Sequence, residues 1–148
     1  MTLKKSTYYA LYAALEMARA GKGVQVTASR VAQSYGVPEA VLAKVFQQLV
    51  RKGIAVGTRG TRGGYSLARL PADVTVLDVI QAFEPSLETD RSPVAANSRE
   101  GADAPGLDRL RKLFGEVDEL ARCTYASVTL ETLAGNRSDE EPRLHVVK

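Results

Sequence analysis

The sequence predicts a mainly α fold: a winged helix-turn-helix with a two-stranded wing, followed by a long C-terminal helix suited to dimerisation. Three observations predict it. Amphipathic segments with a three-four apolar period fill the chain up to Gly53. A change to period two then brackets Arg59-Gly60-Thr61-Arg62-Gly63-Gly64, which reads as a hairpin tip. A later stretch repeats apolar residues at near-heptad spacing.

The first helix is expected over Ser6–Ala20, with Tyr8, Leu11, Leu15 and Ala18 as its apolar face and Gly21 and Gly23 ending it. Thr27 can cap a second, short helix whose apolar positions are Val31, Ala32 and Tyr35 and whose stop is Gly36. Pro38 suits the first turn of a third helix. Leu42, Val45, Phe46 and Leu49 give that helix its buried stripe, and Gly53 closes it. Ile54, Val56 and Thr58 alternate, as do Tyr65 and Leu67, giving two short strands. Thr75-Val76-Leu77-Asp78 resembles a capping box and opens a helix through Phe83. Residues 85–106 are rich in Pro, Ser, Ala, Asp and Gly, show no period, and read as a flexible loop. Leu107, Leu110, Leu113, Val117, Leu120 and Thr124 define a helix of roughly five turns with a self-association seam. Thr129 can cap a last helix, Leu130 to Ala134, and residues 135–148 read as a disordered tail. The expected organisation is therefore a DNA-binding unit over 1–84, the loop, a dimerisation unit over 107–134, and the tail.

The chain of 148 residues suits one domain, or a small domain with an appendage. Its net charge of +3 hides an asymmetry. Residues 1–75 hold 11 Lys and Arg against three acids, a net of +8; residues 76–148 hold 9 against 14, a net of −5. A polyanion partner for the first half follows. One cysteine, Cys123, excludes an intrachain disulfide framework and fits a reducing cytoplasm. No apolar run is long enough for a membrane span, and no signal-peptide pattern opens the chain. The single histidine, His145, leaves almost no material for a His-based metal site or catalytic triad. Gly60 to Gly64 lacks the strand–loop–helix setting of a phosphate-binding loop. No enzyme, metal or cofactor is expected.

DNA recognition asks for a helix that fits the major groove, with polar or cationic groups on its exposed face. Opposite Leu42 and Phe46 the third helix offers Glu39, Ala40, Ala43, Lys44, Gln47, Gln48 and Arg51. Lys44 and Gln48 are placed to reach base edges, and Arg51 to reach phosphate. The wing brings Arg59, Gly60, Thr61 and Arg62; arginine on a narrow hairpin suits an A·T-rich minor groove. Lys4, Lys5 and Ser6 add phosphate contacts and a helix cap, and Thr27 stands at the start of the second helix. Each residue alone has a blander explanation: surface Lys and Arg are mostly solvated, and Gly-Gly before a strand is ordinary turn chemistry. The coincidence of all of them in one 75-residue stretch favours DNA. A winged helix that docks a metabolic enzyme is the alternative.

Tyr9-Ala10-Leu11, Val31-Ala32 before Gly36-Val37, Leu49 to Gly53, Arg59-Gly60 with Gly63-Gly64-Tyr65-Ser66-Leu67-Ala68-Arg69, and Asp78-Val79-Ile80 with Ala82-Phe83-Glu84 make a familiar set. With them the chain resembles the Rrf2 family of bacterial transcription regulators, closely over residues 1–84 and loosely beyond. The resemblance implies a homodimer built on the long helix. It also implies a two-fold-symmetric operator, with the third helix in the major groove and the wing in the minor groove. By position it makes Arg59 the wing arginine and puts Ala40, Val41 and Lys44 at the recognition positions. It implies a repressor of the subgroup without cluster ligands, because the IscR-like and NsrR-like members carry three cysteines after the fourth helix and residues 85–106 here hold neither Cys nor His. Ala40 and Val41 replace polar or tyrosine residues, so contacts there would be apolar, for instance to a thymine methyl. Tyr8 replaces a commonly basic residue.

Two sensing roles follow for the second half. Cys123, beside Arg122, is the sole redox-capable thiol, although lone cysteines are most often small buried apolar residues. The loop could close over a small-molecule effector.

Overall fold

The computed structural model describes residues 3–85 and 105–135. The order is α1 (Lys5–Ala20), α2 (Ala28–Tyr35), α3 (Glu39–Arg51), β1 (Ala55–Thr58), β2 (Gly64–Leu67), a 3-10 turn (Pro71–Asp73), α4 (Val76–Phe83), α5 (Pro105–Ser127) and α6 (Leu130–Ala134). The loop expected over 85–106 and the tail beyond Gly135 lie almost wholly outside the described residues.

The local signals for α2 to α4 act as expected. Thr27 Oγ1 accepts from the Arg30 amide, and Gly36 ends α2 in the left-handed region at φ 64°. Thr75 and Asp78 form a reciprocal capping box that starts α4. The stripe Leu42, Val45, Phe46 and Leu49 is buried, each such side chain contributing about 1.5–3 kcal/mol of burial.

The face of α1 differs from expectation. Thr7, Ala10, Ala13, Ala14 and Met17 point inward, while Tyr8 is exposed and Leu11, Leu15 and Ala18 are half-buried. The helix is the central strut of the fold, touching α2, α3, α4, β2 and α6. Close approach of so many neighbours requires small side chains along its middle; the larger ones fill the margins. Tyr12 lies flat on Tyr35, with ring centroids 4.5 Å apart and planes 4° apart, and Tyr35 Oη donates to Glu16 Oε1 at 3.1 Å.

The two strands pair antiparallel, Ala55 opposite Leu67 and Thr58 opposite Gly64. Only the base of the hairpin is buried, at Ile54 and Ala55, so Val56 does not share an inward face with Ile54. The ribbon is anchored twice. Tyr65 stacks on Phe46 of α3 at 4.4 Å, and Val26 exchanges both backbone hydrogen bonds with Tyr65 at 2.8 Å.

The C-terminal half divides differently from the sequence expectation. Leu130 of α6 is fully buried in the same core as α1 and α3, and its amide donates to the Val74 carbonyl at 2.8 Å. The Val76 amide donates to the Val128 carbonyl at 2.8 Å. The last helix therefore returns to the body formed by α1 to α4 and closes its core. Between these anchors and the start of α5, Leu110, Leu113, Phe114, Val117 and Leu120 stand exposed.

Candidate nucleic-acid interface

The structure brings the wing and the recognition segment to one surface. Ala40, Val41, Lys44, Gln47 and Arg51 are all exposed on α3. The wing-tip residues Arg59, Gly60, Thr61 and Arg62 are exposed on the hairpin. Between the two lies an open groove of about 580 Å³, with Thr27 and Ala28 at its end, Gln47 and Val50 on its α3 wall, and Thr58 and Arg59 on its wing wall. Thr27 thus reaches the groove, although its hydroxyl oxygen is already engaged as the cap of α2.

Gln48 does not face that surface. Its Nε2 donates to the Ala82 carbonyl at 3.2 Å, so it braces α3 against the end of α4. One residue step on a helix is about 100°, so Gln47 takes the outward place that sequence reading gave to Gln48. The partner 34 residues away carries no local signal.

Ser6 is not the cap of α1. The helix begins at Lys5, and the Lys4 amide donates to Glu84 Oε1 at 2.7 Å. Thr7 Oγ1 donates to the same oxygen at 2.6 Å, and Lys4 Nζ lies 3.7 Å from Oε2. Burial opposes ionisation of Glu84, but the hydrogen bonds from Thr7 and Lys4 and the charge of Lys4 outweigh it. The carboxyl is held below the ordinary glutamate value. Sequence reading did not single out Glu84 as part of the site.

Glycines at the wing tip serve the hairpin itself. A Cβ on Gly63 would lie 2.3 Å from the Thr58 carbonyl oxygen, and one on Gly64 would lie 2.8 Å from the Val26 carbonyl oxygen. Gly64 also has φ 155°, in the range that L side chains rarely adopt.

Cys123 is exposed on α5 rather than buried, and its Sγ faces Glu119 Oε1 at 3.7 Å. Arg122 is engaged by the same carboxylate at 3.9 Å. Thr124 is exposed, with its hydroxyl bonded back to the Leu120 carbonyl at 2.9 Å. Among the described residues no three His, Cys, Asp or Glu side chains gather as a metal site, and no helix is long and apolar enough to cross a membrane.

A helix-turn-helix joined to a basic two-stranded wing on one small helical body defines a winged-helix DNA-binding protein. Comparison with known proteins places it within that class. The family model Rrf2, described as iron-dependent transcriptional regulator, matches residues 3–136, and the chain belongs to this family. It is a DNA-binding transcription regulator. BadM of Rhodopseudomonas palustris, named as an HTH-type transcriptional regulator, is 38% identical over 90% of this chain and 81% of that protein. IscR of Photorhabdus laumondii, also named as an HTH-type transcriptional regulator, is 25% identical over 93% of this chain and 81% of that protein. Among solved structures, CymR, the global cysteine regulator of B. subtilis, shares the fold with a TM-score of 0.73 and 23% identity, over 90% of this chain and 96% of that one. These matches give no support to the alternative of an enzyme-docking module.

Proposed function

We propose that two copies of this chain bind a two-fold-symmetric operator and repress transcription from it. Each copy lays α3 in a major groove and its wing in the adjoining minor groove. Half-sites then lie about 34–36 Å apart or a multiple of that. The observation that carries this reading is the groove flanked by Gln47 and Val50 of α3 and by Arg59 of the wing, with Lys44 and Arg62 exposed on the same two elements. Lys44 and Gln47 suit base edges, and Val41 suits a thymine methyl. Arg51, Lys4, Lys5 and Ser6 suit the phosphate backbone.

The exposed seam of α5 supports the dimer. Leu113 is 52% and Leu120 69% exposed, and with Leu110 and Val117 they recur at coiled-coil spacing. Leu107, half-buried, begins the seam, and Thr124 ends it.

The test is a salt-titrated shift assay on genomic fragments selected by the protein. Arg59→Ala should weaken binding and relax the A·T preference of the wing-contacted segment. Undiminished, equally selective binding by that variant would refute the wing contact. Failure to select any sequence at any salt would refute the operator.

A further inference from the structure

The helix that carries Lys5 starts without a cap of its own: Lys4 at its N-cap makes no side-chain capping bond. The capping oxygen comes instead from Glu84, which is 6% exposed. One atom, Oε1, receives both the Lys4 amide and the Thr7 hydroxyl, while Oε2 faces Lys4 Nζ. Bonds to an ionised acceptor are the short, strong kind. The carboxylate is itself well placed, because the Glu84 amide still donates to the Ile80 carbonyl at 2.8 Å. Two residues earlier, the Ala82 carbonyl accepts from Gln48 of α3. The end of α4 therefore holds the recognition helix with one group and the start of α1 with another.

We infer that Glu84 is a positioning residue for DNA binding: it fixes the Lys4–Lys5 turn at a set place relative to α3, so that both lysines meet the phosphates flanking the groove that α3 enters. This rests on the reading of Lys4 and Lys5 as phosphate contacts. Glu84 touches no DNA, and its carboxylate would repel a phosphate that came to it. Its contribution is the placement of the turn, through Oε1.

The test is the salt dependence of binding to a mixed-sequence DNA duplex. Each lost phosphate contact makes the log–log slope shallower by about 0.9. The double variant Lys4→Gln/Lys5→Gln should lose about 1.8. Glu84→Ala should lose about as much, with all of its lysines present. Glu84→Gln keeps an oxygen for both donors and should stay near the wild-type slope. An unchanged slope in the double lysine variant would overturn the phosphate reading itself. A shallow slope there with a wild-type slope in Glu84→Ala would overturn the positioning role alone. So would a Glu84→Gln protein as shallow as Glu84→Ala, since charge and not oxygen placement would then govern. Should Glu84→Ala fail to fold, Glu84→Asp keeps the charge and withdraws the oxygen by one methylene. A shallower slope at near-normal thermal stability supports the inference, and a wild-type slope sinks it.

Discussion

Adding one methyl group to the wing separates the binding surface from the body that carries it. Gly63 has no positive φ, so nothing in its backbone conformation demands glycine. Its space does. A Cβ there would sit 2.3 Å from the Thr58 carbonyl oxygen, 2.8 Å from that of Gly60 and 3.0 Å from the Arg59 carbonyl carbon. Real Cβ atoms essentially never approach within 3.0 Å, so the Thr58 backbone must retreat by more than half an ångström. The Gly63 amide, which donates to the Gly60 carbonyl at 2.9 Å, must move with it. Forcing a carbon into filled space costs about 1–3 kcal/mol. Thr58 to Arg62 are all exposed, so the strain relaxes by opening the tip and not by disturbing the core. Thermal stability of Gly63→Ala should therefore stay close to that of the wild type. Arg59 adjoins the displaced carbonyl and moves with it. If the strained tip must be re-formed on DNA, 1–3 kcal/mol corresponds to a loss of about 5–150-fold in affinity. Fluorescence anisotropy on the selected operator, paired with a thermal melt, measures both. Gly57→Ala is the control, since its Cβ would meet the edge of the Tyr65 ring alone, Cε1 at 3.4 Å and Cδ1 at 3.7 Å. Operator affinity equal to wild type in Gly63→Ala would show that wing-tip geometry does not govern binding.

Gln47 and Gln48 should part company on substitution. Gln48→Ala leaves the Ala82 carbonyl without its partner and should lower unfolding stability by about 1 kcal/mol in urea titration. Gln47→Ala should leave that midpoint alone and weaken operator binding. Leu113→Glu should place a charge in the α5 seam and give a monomer in sedimentation equilibrium; an unaltered dimer would place the interface elsewhere. Because the folded-state pKa of Glu84 is depressed, its stabilising effect is fully present above the unfolded value and is lost as pH falls through the folded one. Urea midpoints of Glu84→Gln should accordingly fall less steeply below the ordinary glutamate range than those of the wild type, and parallel curves would contradict the assigned shift.

The parts of the fold legible in the sequence are those set by neighbours in the chain. Thr27, Gly36, Thr75 and Asp78 act within three or four residues of themselves, and each sits where local rules put it. The wing was legible because its glycines and arginines are contiguous. The misread parts depend on distant partners. Half of the inward face of α1 is alanine and two more of its residues are Thr7 and Glu16, so hydrophobicity pointed to Tyr8 and Leu15, one helical step away. Gln48 looks like its neighbour Gln47 until α4 arrives beside it, and Glu84 looks like an ordinary helix-end acid until α1 does. The short helix after α5 carried a correct cap at Thr129, yet nothing local says that Leu130 enters a core begun more than a hundred residues earlier.

The same division bears on why the proposed dimerisation and the folding of α5 belong together. The helix has 23 residues, about 34 Å in length. From Asp108 to Leu120 every residue is exposed, and α5 packs on the body against α4. An isolated helix gains most of its stability from packing an apolar face, not from propensity. Here that face is Leu110, Leu113, Phe114, Val117 and Leu120, which stand exposed among the described residues. Ion pairs such as Arg111 with Asp108 are exposed and contribute little. In the proposed dimer a second copy would supply an equivalent apolar face at matching spacing and bury both at once. Leu130 anchors the chain just after α5 in the core that also holds Leu42, Phe46 and Leu49 of α3, so in the proposed dimer it would help set how α3 stands relative to the two-fold axis. On the proposed operator the spacing of the two α3 helices would then depend on this fully buried leucine, so Leu130→Ala should disturb operator affinity through half-site geometry more than it disturbs non-specific binding.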